Sequence, residues 1–208
     1  MGRKAGWAIG PMLTILACFG VADDFPGMSI EPPAGDQWVQ VQRTARTLVW
    51  MRRTDRADMT MGVALLTQRV DGEFAGYEDF SRWVRKTKES NPDPRRFRLA
   101  SSLIEPAGEE LSSCVRYRTE IEDKTGGAGE ESIVRLHVAG VACLHPDDPS
   151  RFVDAQYSAR MPRGTELPAE LEEEGQAFVD SLTFRPPPAD GDWSLGDGVS
   201  APSPRQTS

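Results

Sequence analysis

The chain has 208 residues and carries 24 Lys and Arg against 32 Asp and Glu, a formal charge of −8. A surface of that sign repels nucleic acid and anionic lipid headgroups within a Debye length, which excludes both as direct partners. With 38% apolar and 27% charged side chains, the balance is that of one ordinary globular domain, long enough to bury a core without special staples.

The amino-terminal segment has its own chemistry. Arg3 and Lys4 form a short basic region, and the apolar stretch Ala5 to Ala17 follows, interrupted by Gly10 and Pro11. That stretch is about 13 residues long, against about 20 for a spanning helix, so residues 1–17 read as a signal peptide and not as a membrane span. Ile15-Leu16-Ala17-Cys18 resembles the lipobox of bacterial lipoproteins, in which the Cys is acylated and becomes the first mature residue. The resemblance implies lipidation at Cys18, attachment to the membrane through that lipid, and a place in the cell envelope. Phe19, where an Asp would signal retention, implies the outer membrane in a diderm source. Gly20-Val21-Ala22 also sets small residues before Asp23, so cleavage after Ala22, giving a periplasmic or secreted protein, stays open. A chain starting at Cys18 loses two bases and no acid, taking the charge from −8 to −10.

Three cysteines are an odd number for an exported chain. With Cys18 lipidated or removed, Cys114 and Cys143 remain as one pair, and an oxidising compartment makes them a disulfide.

Residues 18–35 are rich in Pro and Gly and read as a tether. A folded domain follows over 36–185, and the tail 186–208 has too few core-forming residues to be ordered. Within the domain, strands are expected at 37–43, 47–52 and 60–70, the last nearly continuous in apolar residues, as for a sheet interior covered on both faces. The spacing of Tyr77, Phe80, Val84 and Thr87, with Trp83 beside them, predicts a helix over 77–90 that Asn91-Pro92 ends. A strand at 96–104 precedes the two clearest ones, 111–123 and 132–144, joined by a turn at 125–129. Placing Cys114 opposite Cys143 sets Ile121 against Leu136, Thr119 against Val138 and Val115 against Ala142. The other face then pairs Glu122 with Arg135 and Glu120 with His137, and a slip of one residue destroys the whole pattern. Further strands at 152–160 and 182–185 flank a helix over 168–181 that opens on Pro168. Its early Glu170, Glu172, Glu173 and Glu174 suit the positive end of the helix dipole, and Leu171, Gly175 and Phe178 form a face continuing to Leu182.

The closing stretch, Phe152 to Arg160, then Pro168 opening an acidic helix, then Phe178-Val179-Asp180-Ser181-Leu182-Thr183-Phe184, resembles the PsbP/Mog1-like group over about residues 25–185. That resemblance implies an α+β domain, an antiparallel sheet of about six or more strands flanked by two helices as an α/β/α sandwich. Many members are bacterial lipoproteins of unknown role. The group supplies assembly factors and protein-binding modules and shares no catalytic set, so no functional residue carries over and no cofactor is implied. The partner implied is an envelope protein.

The remaining candidates are weaker. His145, Asp147 and Asp148 bring an imidazole and two carboxylates together as a weak metal site, although His-Pro-Asp-Asp-Pro is also turn composition. His137 is expected in a surface ion pair with Glu120. Ser101-Ser102 and Ser112-Ser113 lack a nearby base signature, so no nucleophile emerges. Trp38, Trp50 and Trp83 read as core or the lining of one groove. Arg52, Arg53, Arg56, Arg82, Arg85, Lys86, Lys88, Arg95, Arg96 and Arg98 read as solvated faces or a positive patch for an acidic partner. The function expected is a non-catalytic, lipid-anchored binding or assembly module. The alternative is an exported small-ligand binder or hydrolase built on facing carboxylates.

Overall fold

The computed structural model describes residues 23–25, 27–90, 93–108, 111–124 and 133–186. The expected signal segment, Cys18, the turn at 125–129, Asn91-Pro92 and the tail beyond Pro186 lie outside the described residues. Ten strands and two helices follow in chain order: β1 (Asp23–Phe25), β2 (Met28–Ile30), β3 (Trp38–Arg43), β4 (Thr47–Arg52), β5 (Thr60–Arg69), α1 (Tyr77–Lys88), β6 (Phe97–Pro106), β7 (Cys114–Asp123), β8 (Val134–His145), β9 (Asp148–Pro162), α2 (Ala169–Asp180) and β10 (Thr183–Phe184). Seven strands form one antiparallel sheet in the order β3-β4-β5-β9-β8-β7-β6, and β1-β2-β10 form a small second sheet.

The alternation of side chains assigns the two faces. On one, Met61, Val63, Leu65, Val141, Cys143, Val153, Ala155 and Tyr157 join Leu171, Phe178 and Val179 of α2 and Phe25, Met28 and Ile30 of the small sheet in one core. On the other, Val115, Tyr117, Ala142 and Phe152 pack against Phe80 and Val84 of α1. The helices therefore cover opposite faces, and the expected α+β architecture holds.

The pairing of β7 with β8 places Cys114 opposite Cys143, Ile121 opposite Leu136 and Glu120 opposite His137, as the sequence predicts. The disulfide joins neighbouring strands across 4.1 Å between Cα atoms, close to the short spacing of a non-hydrogen-bonded pair. Gly76 precedes α1 at φ 148°, a conformation that favours glycine, and Glu78 and Asp79 occupy the first turn. Gly175 of α2 meets the sheet where a Cβ would stand 2.5 Å from Cγ of Tyr157. The helix lies against that ring because it has no side chain there.

Four expectations change. Residues 23–30 are not a tether: they form β1 and β2, with Met28 and Ile30 fully buried, because β10 supplies the partner strand for an otherwise short apolar run. The strand expected at 152–160 spans Asp148–Pro162, because a two-residue turn at Pro146-Asp147 folds it directly onto β8. β5 is not covered equally on both faces; Ala64 and Leu66 remain half-buried on the side of α1, since that helix lies over only one end of the sheet. The expected α1 stripe includes Thr87, which is instead exposed, its hydroxyl donating to the Trp83 carbonyl at 2.9 Å.

Candidate functional site

Beyond the end of α1, no described element covers its face of the sheet. A groove of about 170 Å³ lies there, floored by Phe97 and Leu99 of β6, Ile121 of β7 and Leu136 of β8 and closed on one side by Lys88, Glu89 and Ser90. Leu99, Ile121 and Leu136 are successive partners across three strands, so the floor is a continuous apolar row. Arg96 stacks its guanidinium 4.5 Å over the Phe97 ring at one end.

At the other end stands a buried polar cluster. Lys88 Nζ lies 2.5 Å from Asp154 Oδ2 and 3.9 Å from the centre of the Tyr117 ring. The Tyr117 hydroxyl donates to Asp154 Oδ1 at 2.7 Å and also touches the Gln156 side-chain amide at 2.8 Å. Burial, then the charge of Asp154 and the hydrogen bond to it, hold the Tyr117 phenol well above its ordinary pKa. It therefore stays protonated at neutral pH and cannot act there as a base or nucleophile. Lys88, capped by a carboxylate and an aromatic face, is occupied in the same way. The cluster fixes the last turn of α1 to the sheet and sets the edge of the groove.

Carboxylates of β7 are also matched with base. Arg98 reaches Glu122 at 2.5 Å and Arg163 lies 3.5 Å from it. Arg96 grips Asp123 through two contacts of 3.0 Å. Much of the basic concentration expected as a positive patch is consumed this way: Arg52 pairs with Glu174, Arg56 with Asp58, Arg82 with Asp79 and Arg85 with Glu89. Glycoside hydrolysis uses two carboxylates facing each other across a cleft; Glu122, Asp123 and Asp154 each face a cation instead.

The weak metal candidate does not assemble. His145 is buried, its Nε2 donates to the Gly27 carbonyl at 2.8 Å, and its Nδ1 accepts from the Asp147 amide at 3.2 Å. Asp148 turns to the Ser150 hydroxyl at 2.6 Å, which with Arg151 nearby holds its carboxyl below the ordinary range. Both imidazole nitrogens are committed to the backbone, and His145 joins the β1–β2 turn to the β8–β9 hairpin. Among the described residues, no group of three His, Cys, Asp or Glu could hold a metal ion. His137 is buried rather than in a surface pair. Its Nδ1 lies 2.8 Å from Glu120, and its ring stacks on Tyr157 with centroids 5.7 Å apart, under α2.

No family model matches the chain, and no curated protein does.

The three tryptophans are divided between the faces. Trp50 packs edge-on to Phe178, and Trp38 Nε1 donates to Glu174 at 3.1 Å, both beside α2. Trp83 lies across the sheet with Phe74, Phe80 and Phe152. They build two cores and share no groove. Sequence reasoning missed the groove that does exist. Its one legible signal was the cross-strand pair Ile121 and Leu136; Phe97 and Leu99 join it only through the register of β6, which a bulge between Leu99 and Ser101 interrupts.

Proposed function

We propose that the protein is an exported, lipid-anchored envelope protein that works as a non-catalytic binding or assembly module of the PsbP/Mog1-like kind, holding an apolar segment of a partner protein. The observation that carries this reading is the groove beyond α1, with its floor of Phe97, Leu99, Ile121 and Leu136 and its polar end spent in internal pairs. Such a surface offers shape and apolar area to a partner and little chemistry to a substrate. The lipobox resemblance at Cys18 and the disulfide of Cys114 with Cys143 support an oxidising location. The resemblance to the PsbP/Mog1-like group supports an assembly role.

Two measurements test the reading. A photo-crosslinking residue at Leu136 of the full-length chain, expressed in a bacterial envelope, should capture one discrete partner, and Ile121→Asp should abolish the adduct. An adduct pattern equal to that from position Arg82, on the exposed side of α1, overturns the binding site. The intact mass of membrane-extracted protein tests the anchor: it should begin at Cys18 and carry a diacylglyceryl group and an acyl chain. A lipid-free mass beginning at Asp23 removes lipidation while leaving export in place.

A further inference from the structure

The last strand on one side of the sheet is β6, and among the described residues no strand pairs with its outer edge. It is ten residues long, it lies outermost in the strand order, and its Leu103 is 55% exposed. Unpaired N–H and C=O groups along such an edge are a template for another strand, and natural proteins cover, shorten or charge their edges to prevent uncontrolled pairing. The arrangement of side chains on β6 specifies what fits it.

Two antiparallel strands related by a two-fold axis perpendicular to the sheet must set like-facing residues opposite one another. The register with β7 fixes those faces. Arg98, Ser101, Leu103 and Glu105 oppose Glu122, Glu120, Arg118 and Arg116 on the side of α2, whereas Leu99, Ser102 and Ile104 oppose Ile121, Thr119 and Tyr117 on the side of α1. The bulge at Ala100 shifts the alternation by one, so Leu99 and Ile104 share a face although five positions apart.

With the axis at Ser102, each strand meets its copy in a consistent way. Ser102 faces Ser102, Ser101 faces Leu103, the bulged Ala100 is skipped, Leu99 faces Ile104, and Arg98, whose Nε and Nη2 bond Glu122 of its own chain and whose side chain is 56% exposed, faces Glu105. Opposite charges meet at two symmetric places, and apolar residues meet beside them. Moving the axis to Ser101 or Leu103 removes the Arg98–Glu105 pairing. The Ser102 hydroxyl at the axis is enclosed by this chain's own atoms, so the pairing there rests on the backbone N–H and C=O groups of the two edges.

We propose that β6 is a self-association edge, pairing antiparallel with β6 of a second copy of this chain about Ser102 to make a continuous sheet of two domains. The proposal does not depend on the groove or on the lipid anchor. It places the two grooves on the same face of the joined sheet, because the two-fold axis is perpendicular to that face.

The test uses the full chain with Cys18→Ser, so that no unpaired thiol is present. Sedimentation velocity should show a reversible monomer–dimer equilibrium. Glu105→Lys sets like charges against Arg98 twice and should raise the dimer dissociation constant about tenfold or more; Glu105 is exposed, so folding should be unchanged by circular dichroism. Ser101→Cys combined with Leu103→Cys, both exposed positions, sets thiols opposite one another across the seam and should form a disulfide-linked dimer under air oxidation, whereas Leu103→Cys alone, which faces Ser101 of the copy, should not. A monomer up to high micromolar concentration overturns the proposal. So does a dimer that Glu105→Lys leaves intact, or one in which the Ser101→Cys, Leu103→Cys chain fails to cross-link.

Discussion

The disulfide between Cys114 and Cys143 can be removed without altering any other side chain, simply by reduction. It closes a loop of 29 residues. In the chain-entropy treatment, a closed loop of that length removes about 12 cal/mol/K from the unfolded ensemble, or about 3.6 kcal/mol at room temperature. A domain of this size is stable by about 5–15 kcal/mol, so the bridge supplies a large share. Both cysteines are buried in the core against α2, and reduction leaves two small thiols that still fit, so the loss should be mostly that of the constraint. Urea unfolding with and without dithiothreitol should show the midpoint falling by the equivalent of about 3–4 kcal/mol. Cys114→Ala with Cys143→Ala should lose more, because the sulfurs also fill core volume. A loss under about 1 kcal/mol on reduction refutes the reasoning. It means either that residual β7–β8 pairing in the unfolded chain already restrains the loop or that the bridge does not form; alkylation of the unreduced, unfolded protein separates the two.

Three further outcomes follow from the packing. Gly175→Ala gains about 1 kcal/mol of helix propensity but drives a methyl into the fixed root of the Tyr157 ring, 2.5 Å from Cγ; the net change should be a loss of about 1–2 kcal/mol by thermal denaturation. Lys88→Met should cost about 3–5 kcal/mol by leaving Asp154 buried against one hydroxyl, and the double change with Asp154→Leu should recover most of it. Tyr77, Tyr117 and Tyr157 each have a raised pKa, with burial as the leading cause. Raised folded values mean that the stabilisation is complete below the unfolded tyrosine pKa of about 10 and is lost as pH rises above it. Phenolate absorbance should therefore lag behind free tyrosine, with the Tyr117 share appearing together with alkaline unfolding. Reversible titration of all three phenols in folded protein at the pH of free tyrosine contradicts the assignment.

The parts of the fold legible in the sequence are those with redundant local signals. The β7–β8 register rests on a cysteine pair, two charge pairs and an apolar face that all demand one alignment, and the structure has that alignment. Helix α2 combines Pro168, early acids and the Leu171–Phe178 face. What escaped depends on residues far apart. Met28 and Ile30 look like part of a Pro-rich tether until β10, more than 150 residues later, pairs with them through Thr183 and Ser29. Lys88 reads as an ordinary base in the last turn of a helix, and Asp154 as one polar position in an alternating strand; nothing local announces their 2.5 Å contact. Glu172 and Glu174 read as dipole partners, yet they also reach Arg118 and Arg52 on the sheet.

The small sheet has a mechanical meaning. Phe184 pairs with Met28, and the Arg185 amide donates to the Gly27 carbonyl at 2.8 Å, so the chain enters β2 and leaves β10 at the same edge. Tension from the amino-terminal side, however, arrives first at Asp23 of β1, which pairs with Ile30 at the opposite end of β2. The two pulled points therefore lie at opposite ends of the small sheet, and its bonds share the load in shear instead of breaking one after another. Under force, the three short strands should act as a clasp over Met28 and Ile30 until they slide as a unit.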